Sequence, residues 1–319
     1  MRFRGVLKSY SQTAIALGSK TTFVLVSDGA AATVDELFQK LWQVTFNFER
    51  QFSRFLPASE LSKFNHSAGL RTPVTSTFLE LLTTARQLSL RTDNLFNPFI
   101  LPALQKAGYQ HSQVPGYEND RLDDHATQTV VTGDKLTIGA DWAEIPYGTA
   151  LDLGGIGKGY LADMLAQTLP AALNGYWLSL GGDIVAGGRD EAAKPWHVAI
   201  QDAGNLELDS DYSLTTSRAS FGLATSSVLN HRGLHNGVDW HHIIDPRTNR
   251  PAASDVRLAT VYGADATTAD VLAKVSIMLG SKAAWKTIQP LGALSLLLQY
   301  EAYGKIMTKV YGNGIQTNS

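Results

Sequence analysis

The glycine-rich stretch at residues 152–163, D-L-G-G-I-G-K-G-Y-L-A-D, constrains the fold of this chain more than any other segment. Its glycines lie between Gly154 and Gly159, with Lys158 among them. Glycine has no Cβ and tolerates positive φ, so the backbone here can come close to a bulky ligand. Apolar residues then recur at helical spacing up to Pro170, which predicts a helix. A helix entered through such a turn favours an anion, because its first N–H groups are free and its dipole is positive there. The alternative is a tight helix entry without a ligand.

Two nucleotide-binding motifs can be compared with this stretch. A P-loop requires Gly-Lys-Ser/Thr, but here the sequence is Gly157-Lys158-Gly159, and Asp152 stands where the first glycine of the motif belongs. The dinucleotide fingerprint G-x-G-x-x-A fits better, since Ala162 takes its last position and Asp183 follows an apolar run downstream. A Rossmann-type nucleotide-dependent oxidoreductase is therefore one alternative.

Composition narrows the class of protein. Apolar residues make up 44% and charged residues 18% of the 319 residues, which is typical of a globular chain. The net charge of -2 gives no basic footprint of the kind that nucleic-acid binding requires. There is no cysteine, which excludes disulfides and thiolate metal sites. No apolar run has the length of a signal core or a membrane span, so we expect a soluble cytoplasmic protein without a membrane segment.

The apolar periodicity predicts helices and strands that do not alternate strictly, which indicates an α+β fold. Residues 110–129 are polar and predict a surface excursion, and residues 130–138 predict a hairpin around Gly133-Asp134. The main predicted elements are a strand at 21–27, helices at 34–52, 78–88, 268–279 and 282–288, and strands at 176–180, 196–201, 213–225, 257–262, 294–299 and 305–310.

Five segments in order resemble the ApbE family of FAD:protein FMN transferases, and the likeness extends over about residues 53–280. The segments are Ser53-Arg-Phe55-Leu-Pro57-Ala-Ser59-Glu60-Leu61 with Asn65 following, Asn94-Leu95-Phe96-Asn97-Pro98, residues 152–163, Gly181-Gly-Asp183-Ile184, and His242-Ile-Ile244-Asp245-Pro246. The resemblance implies an α+β, T-fold-related architecture in which mixed sheets pack with helices, with residues 1–319 forming a single domain.

The family resemblance also implies an activity. Such enzymes bind FAD and a divalent metal, usually Mg²⁺, and transfer FMN to a Ser or Thr hydroxyl of an acceptor protein with release of AMP. This is phosphoryl transfer, in which positioning and charge neutralisation dominate catalysis. A metal that bridges phosphate oxygens would supply the largest single charge.

Site residues follow from the resemblance, position by position. His242 is the expected general base for the acceptor hydroxyl, and Lys158 is the expected cation at the phosphates. The metal site would use the backbone oxygen of Gly155, the carboxylate of Asp270 and a hydroxyl one helical turn after it. The expected flavin contacts are Ser11, Phe55, Leu95, Phe96, Asn97, Asp152, Lys158 and Ile244.

Alternative roles exist for several of these residues. The two phenylalanines could simply be core, and His242 could be a structural strand histidine with His241 on the opposite face of the strand. Asp245, before a proline, is interpreted as a turn residue.

The sequence also departs from the family pattern. Lys274 stands where the hydroxyl ligand belongs, and a protonated lysine cannot bind a metal. We hypothesise that its ammonium takes over part of the metal's charge or excludes the ion; the alternative is a surface ion pair with Asp270. Asn97 replaces an aspartate, and Thr225-Ser226-Ser227-Val228 replaces Thr-Ser-Gly-aromatic. A degenerate FAD-binding member without transferase activity is therefore a second alternative.

Overall fold

The structure is a computed structural model that describes residues 6–110, 131–205, 208–216, 218–235 and 237–318. The helices are α1 (Ala31–Phe52), α2 (Glu60–His66), α3 (Ser76–Arg91), α4 (Leu101–Ala107), α5 (Gly157–Gln167) and α6 (Ala266–Ile288), with short 3-10 turns at Pro98–Ile100, Gly133–Lys135 and Gln289–Leu291. The strands are β1 (Lys8–Ala16), β2 (Ser19–Ser27), β3 (Thr72–Pro73), β4 (Thr137–Ile138), β5 (Trp142–Glu144), β6 (Gly175–Leu180), β7 (Asp183–Gly188), β8 (Trp196–Gln201), β9 (Asp209–Thr216), β10 (Ser220–Ser227), β11 (Arg232–His235), β12 (Val238–His241), β13 (Ile244–Asp245), β14 (Arg250–Pro251), β15 (Val256–Gly263), β16 (Ser295–Ala302), β17 (Lys305–Gly312) and β18 (Ile315–Thr317).

An eight-stranded sheet forms the centre of the molecule, in the order β1-β2-β6-β7-β10-β15-β16-β17. Every neighbouring pair in it is antiparallel. The predicted α+β class is confirmed. The prediction described the sheets as mixed, and in the structure their strand pairs are antiparallel. A Rossmann fold needs parallel strands joined by crossover helices, so that alternative is wrong for this fold.

The two faces of the central sheet bury different layers. Side chains alternate along a strand, so Leu296 and Leu298 of β16 face the helices whereas Leu297 faces the other side. The helix face packs against α1, α3, α5 and α6. The opposite face packs against a three-stranded sheet in the order β18-β9-β8, where Val198 and Leu214 are buried.

Helix α6 is buried on nearly all sides, as expected of a helix that is apolar around its circumference. It packs on β10, β15 and α5. Gly280 interrupts it with φ 75° and ψ 170°, and Ser281 continues the helix after this break. The helical run is therefore broken at Gly280, as predicted, with one helical segment before it and one after it.

One prediction of local structure is wrong, and another concerns residues that the structure does not describe. The hairpin predicted around Gly133-Asp134 is wrong: Gly133–Lys135 forms a 3-10 turn, and β4 pairs with β5. The side-chain oxygen of Asn94 accepts a hydrogen bond from the N–H of Gly133 and fixes this turn. The predicted excursion at 110–129 lies outside the described residues, apart from Gln110. The single domain over residues 1–319 stays a prediction.

Candidate active site

A cavity of about 890 Å³ opens beside the glycine-rich stretch and collects most of the sequence-predicted site residues. Asp270 lies directly behind its wall and is fully buried. Ser11 does not line the cavity; it is exposed on the edge strand β1. The predicted residues in the lining are Phe55, Leu95, Phe96, Asn97, Asp152, Gly155, Lys158, His242, Ile244 and Lys274.

A tight turn of the central sheet supplies one of the charges at the cavity. Gly181 and Gly182 join β6 to β7 with φ values of 64° and 96°, a backbone conformation that only glycine adopts readily. This turn directs the next residue, Asp183, to Lys158, and the two form an ion pair of 2.6 Å. The Gly181-Gly182-Asp183 segment therefore positions the carboxylate that pairs with Lys158.

Helices α5 and α6 approach each other closely at Gly159. A Cβ on Gly159 would lie 2.5 Å from the backbone oxygen of Ala266 and 2.9 Å from the Cβ of Asp270, so only glycine fits. The N–H of Gly159 donates to the Asp270 carboxylate at 3.4 Å. The predicted meeting of Asp270 with the glycine-rich segment is present in the structure.

A carboxylate from α5 fixes the start of α6. Asp163, the last residue of the glycine-rich stretch, accepts from the N–H groups of Ala266 and Thr267 at 2.9 and 2.8 Å. Asp265 caps the next N–H, that of Thr268, at 2.6 Å. Two carboxylates thus accept hydrogen bonds from the free N–H groups at this helix end, and their negative charge interacts favourably with the positive end of the helix dipole. The motif aspartate is therefore a structural anchor that sets where Asp270 lies.

Paired charges make up one part of the cavity wall, which we call the glycine side and define by Gly155, Lys158 and Lys274. Lys274 forms an ion pair with Asp270, and its side chain is 15% exposed. Burial alone would lower the pKa of Lys158, but the carboxylates of Asp183 and Asp270 outweigh it and raise the pKa. Burial, followed by the neighbouring Asp183, raises the pKa of Asp270 to about 6 despite the two lysines. The ammonium of Lys158 is therefore held in the charged form beside the N-terminus of α5, and the ion pair of Lys274 with Asp270 lies next to it.

Arg54 is a site residue that the sequence analysis missed. Its guanidinium pairs with Asp152 at 2.8 Å, and both side chains are almost completely buried. It also lies 4.1 Å from the ring centre of Phe55 and donates to the backbone oxygen of Tyr109 at 3.0 Å. An arginine with two aromatic neighbours and a buried carboxylate is rigidly held. Its position within the Ser53-to-Leu61 segment was the available signal.

Asn65 holds the chain that leads into the glycine-rich stretch. Its side-chain amide donates to the backbone oxygen of Leu151 at 2.9 Å and accepts from the N–H of the same residue at 2.8 Å. The next residue, Asp152, accepts from Arg54 through one oxygen and from the N–H of Gly154 through the other. Both carboxylate oxygens of Asp152 thus have protein donors, and each keeps a lone pair for a ligand.

Aromatic rings form a second part of the wall, which we call the histidine side and define by Tyr109, His231 and His242. The imidazoles of His231 and His242 lie 5.1 Å apart, and Tyr109 lies 5.7 and 6.5 Å from them. Neither Nδ1 atom of the two histidines has a hydrogen-bond partner within the described residues. Burial, with the neighbouring His231 and Lys274, lowers the pKa of His242 to about 3.

This low pKa changes one expectation for His242. An imidazole that titrates near neutrality was expected, whereas this one is neutral well below pH 7. His241 follows its prediction: it lies outside the cavity lining, and its ring contacts the backbone oxygen of Ala252 at 3.2 Å. Asp245 has the predicted turn geometry, since it accepts from the N–H of Arg247 at 2.9 Å.

Asn97 has a structural role in the wall of the cavity. Its side chain accepts from the N–H of Phe99 at 2.9 Å and donates to the backbone oxygen of Val131 at 2.7 Å. Phe96, next to it, lies 3.2 Å from where a Cβ on Gly155 would be. The ring of Phe96 therefore packs against the glycine-rich backbone, which explains why a side chain is absent at that position.

The donor set at Asp270 does not fit a divalent metal ion. The stem of Lys274 passes beside Gly155, with its Cδ 3.7 Å from where a Cβ on that glycine would lie, so the ammonium chain fills this place. The ammonium of Lys274 offsets the negative charge of Asp270 that would attract a divalent ion, and its N–H groups donate and cannot act as ligands. The described residues contain no group of three or more acidic, histidine or cysteine side chains that could hold an ion.

Fold and cavity together define an α+β protein with a deep site at a glycine-rich helix entry. Comparison with known proteins identifies the family within this class. Residues 17–298 match the model of the ApbE family, and the chain belongs to that family.

Relatives and solved structures agree with this membership. The FAD:protein FMN transferase of Treponema pallidum is 29% identical over 296 residues, which cover 87% of this chain and 80% of that one. The flavinyl transferase ApbE of Pseudomonas stutzeri, solved in its apo form, superposes with a TM-score of 0.78 at 22% identity and 95% coverage of both chains. The ApbE protein of Thermotoga maritima superposes with a TM-score of 0.79 at 23% identity, covering 94% of this chain and 96% of that one. The fold is therefore that of these proteins.

In the part of the chain that the structure describes, no helix combines the length and apolarity that a membrane span requires.

Proposed function

We propose that this protein is an FAD:protein FMN transferase, which moves FMN from FAD to a Ser or Thr hydroxyl of an acceptor protein and releases AMP. One observation supports this most strongly. The ammonium groups of Lys158 and Lys274 and the N-terminus of α5 line the same cavity as Phe55, Phe96 and the histidine side. A dinucleotide needs both kinds of wall, because its diphosphate is anionic and its rings are planar.

The glycine side would carry the diphosphate. Lys158, held in the charged form by Asp183 and Asp270, would donate to phosphate oxygens, and the N–H groups at the start of α5 would add the favourable end of the helix dipole. These donors are fixed before the ligand arrives. Stabilisation of the charge that develops on the phosphoryl group therefore costs little reorganisation.

The transfer step forms one P–O bond and breaks another. The acceptor hydroxyl oxygen attacks the phosphorus of the FMN half, the bond to the bridging oxygen breaks, and AMP leaves with that oxygen. The hydroxyl proton passes to the neutral imidazole of His242. This imidazole has a low pKa in the free protein, and an anionic diphosphate beside it would raise that pKa towards the range of an effective base.

The aromatic rings beside Arg54 would wall the flavin or the adenine. Phe55 and Tyr109 both lie against the Arg54 guanidinium, so their planes are fixed by its ion pair with Asp152. The acceptor protein and the cytoplasmic location belong to this proposal. The Mg²⁺ that the family resemblance implies would need Gly155 and Asp270 as ligands, and no step is assigned to it because the Lys274 ammonium fills that place.

A second candidate is an FAD-binding protein that does not transfer FMN. The observation that favours it is the pKa of about 3 for His242, since such an imidazole is a weak base unless a ligand raises its pKa. Both candidates predict FAD binding, and they differ in AMP release.

Incubation with FAD and candidate acceptor proteins, in Mg²⁺ and in EDTA, tests the proposal. Mass spectrometry should detect an acceptor that has gained FMN on Ser or Thr, and chromatography should detect an equal amount of AMP. Bound FAD without either product would favour the second candidate. A protein that binds no FAD in either buffer would contradict both.

A further inference from the structure

Lys274 is the residue that makes this site differ from the donor set expected for a divalent ion. It stands four residues after Asp270 on α6, its ammonium pairs with that carboxylate, and its side chain is 15% exposed to the cavity while that of Asp270 is 1% exposed. The aspartate is therefore closed off from the cavity by the lysine that neutralises it.

The ammonium still has capacity for a ligand. Lysine has three N–H donors. In the described part of the chain, two acceptors face the Lys274 ammonium, the carboxylate of Asp270 and, at 3.4 Å, the backbone oxygen of the same residue. The third donor is available to an acceptor in the cavity, whose lining includes Lys274.

The side chain of Lys274 lies near the start of helix α5, where an anion is favoured. The stem of Lys274 lies beside Gly155, two residues before the first residue of α5, and Lys158 lies one residue inside that helix. Lys274 pairs with Asp270, Lys158 pairs with Asp183, and both lysines line the same cavity. A diphosphate at the N-terminus of α5 would therefore meet two fixed monovalent cations.

We infer that Lys274 binds the diphosphate of the dinucleotide in place of a divalent metal ion, so that this chain binds FAD without one. The inference rests on the proposed function and deepens it. A built-in ammonium is covalently fixed and always present, whereas a bound ion must be recruited from solution. Occupancy of the cation position is then independent of the concentration of Mg²⁺.

The test measures FAD binding by calorimetry for the full chain in EDTA and in Mg²⁺. The wild-type dissociation constant should differ by less than about twofold between the two buffers. Lys274→Met should weaken FAD binding about tenfold or more in both buffers, because the charge is lost and nothing replaces it. Lys274→Arg, which keeps the charge, should stay within about threefold of wild type.

Lys274→Thr provides the sharpest contrast. It removes the ammonium and supplies a hydroxyl one turn after Asp270, so FAD binding should become dependent on Mg²⁺. In the absence of FAD, Mn²⁺ titration followed by electron paramagnetic resonance should detect an ion bound to Lys274→Thr and none bound to wild type. Lys282→Thr, on an exposed part of the same helix, is the matched control and should behave as wild type in every measurement.

The outcomes separate the inference from the proposed function. Wild-type FAD binding that appears only with Mg²⁺, or unchanged FAD affinity of Lys274→Met in EDTA, would overturn the inference and leave the proposed function standing. Wild-type protein that binds no FAD in either buffer would overturn both. The wild-type comparison needs no variant, so it remains decisive if a substitution prevents folding.

Discussion

The two sides of the cavity are built on opposite electrostatic principles. On the glycine side, Lys158 and Lys274 each pair with a buried aspartate, so charge is present before any ligand arrives. On the histidine side, His231 and His242 are neutral rings whose pKa values burial lowers. Fixed charge suits the binding of an anion, whereas a neutral imidazole suits the acceptance of a proton. This difference supports the proposed division of roles, in which the glycine side binds the diphosphate and the histidine side accepts the proton.

Removal of the imidazole gives the largest expected effect on the reaction. His242→Ala should lower the rate of FMN transfer by about 10²- to 10⁴-fold, because no base then accepts the hydroxyl proton. FAD affinity should stay within about threefold, since the glycine side is intact. Stopped-flow or quenched transfer assays measure the first quantity and calorimetry the second.

The control for this variant is His241→Ala, whose ring lies outside the cavity lining, and which should transfer FMN at the wild-type rate. An equal loss of FAD affinity and rate in His242→Ala would contradict the division between the two sides.

The converse variant on the glycine side should act on binding. Lys158→Met removes a cation and leaves Asp183, whose side chain is 1% exposed, without its ion-pair partner. We expect FAD affinity to fall about 100-fold, as is typical when one member of a buried charge pair is removed. Fluorescence titration of FAD measures this loss.

Lys194→Met, at an exposed lysine outside the cavity lining, should leave FAD affinity unchanged. Wild-type affinity of Lys158→Met would show that the glycine side does not carry the diphosphate.

The contact between α5 and α6 allows a test of how the glycine side is assembled. Gly159→Ala should lower the free energy of unfolding by about 1–3 kcal/mol, because the new Cβ would lie 2.5 Å from the Ala266 backbone oxygen. A glycine in a helix interior ordinarily costs about 0.5–1 kcal/mol relative to alanine, so the expected sign is reversed here.

Gly157→Ala is the matched control, because its Cβ would lie 3.7 Å from Phe48, an ordinary contact. Urea unfolding of both variants gives the comparison. A more stable Gly159→Ala protein would mean that the two helices are not held at this distance.

The histidine side should be visible in the pH dependence of stability. The pKa of His242 in the folded protein, about 3, lies below the ordinary value of 6.5, so the unfolded chain binds the proton first as the pH falls. Its contribution to stability is therefore complete above about pH 6.5 and is lost progressively towards pH 3. His231 acts in the same direction.

At pH 5 this contribution from His242 should be smaller by about 1–2 kcal/mol than at pH 7.5. Urea unfolding of wild type and His242→Phe between pH 5 and 7.5 measures the difference, which should shrink in the variant. An equal pH dependence in the two proteins would indicate that His242 is charged in the folded state.

Several elements could be predicted from sequence because their signals are local. Ser59 stands directly before α2 and accepts from the Ser62 N–H at 3.0 Å, a cap that depends only on residues within one helical turn. The long amphipathic helix α1 follows from the spacing of its apolar residues. The hairpin prediction around Gly133 failed because the partner of β4 is β5, which was not predicted, and because Asn94, 39 residues away, fixes the turn.

The candidate site follows the same division. The sequence by itself determined the glycine-rich helix entry, the family, and the conflict at Lys274, because each depends on residue types at fixed spacing. The tertiary structure alone decided that Arg54 pairs with Asp152, that Asp163 anchors α6, and that Ser11 lies outside the cavity. The physical reason is that ion pairs and close packing join residues about a hundred positions apart, such as Asp163 and Ala266, whereas periodicity and spacing report only on neighbours along the chain.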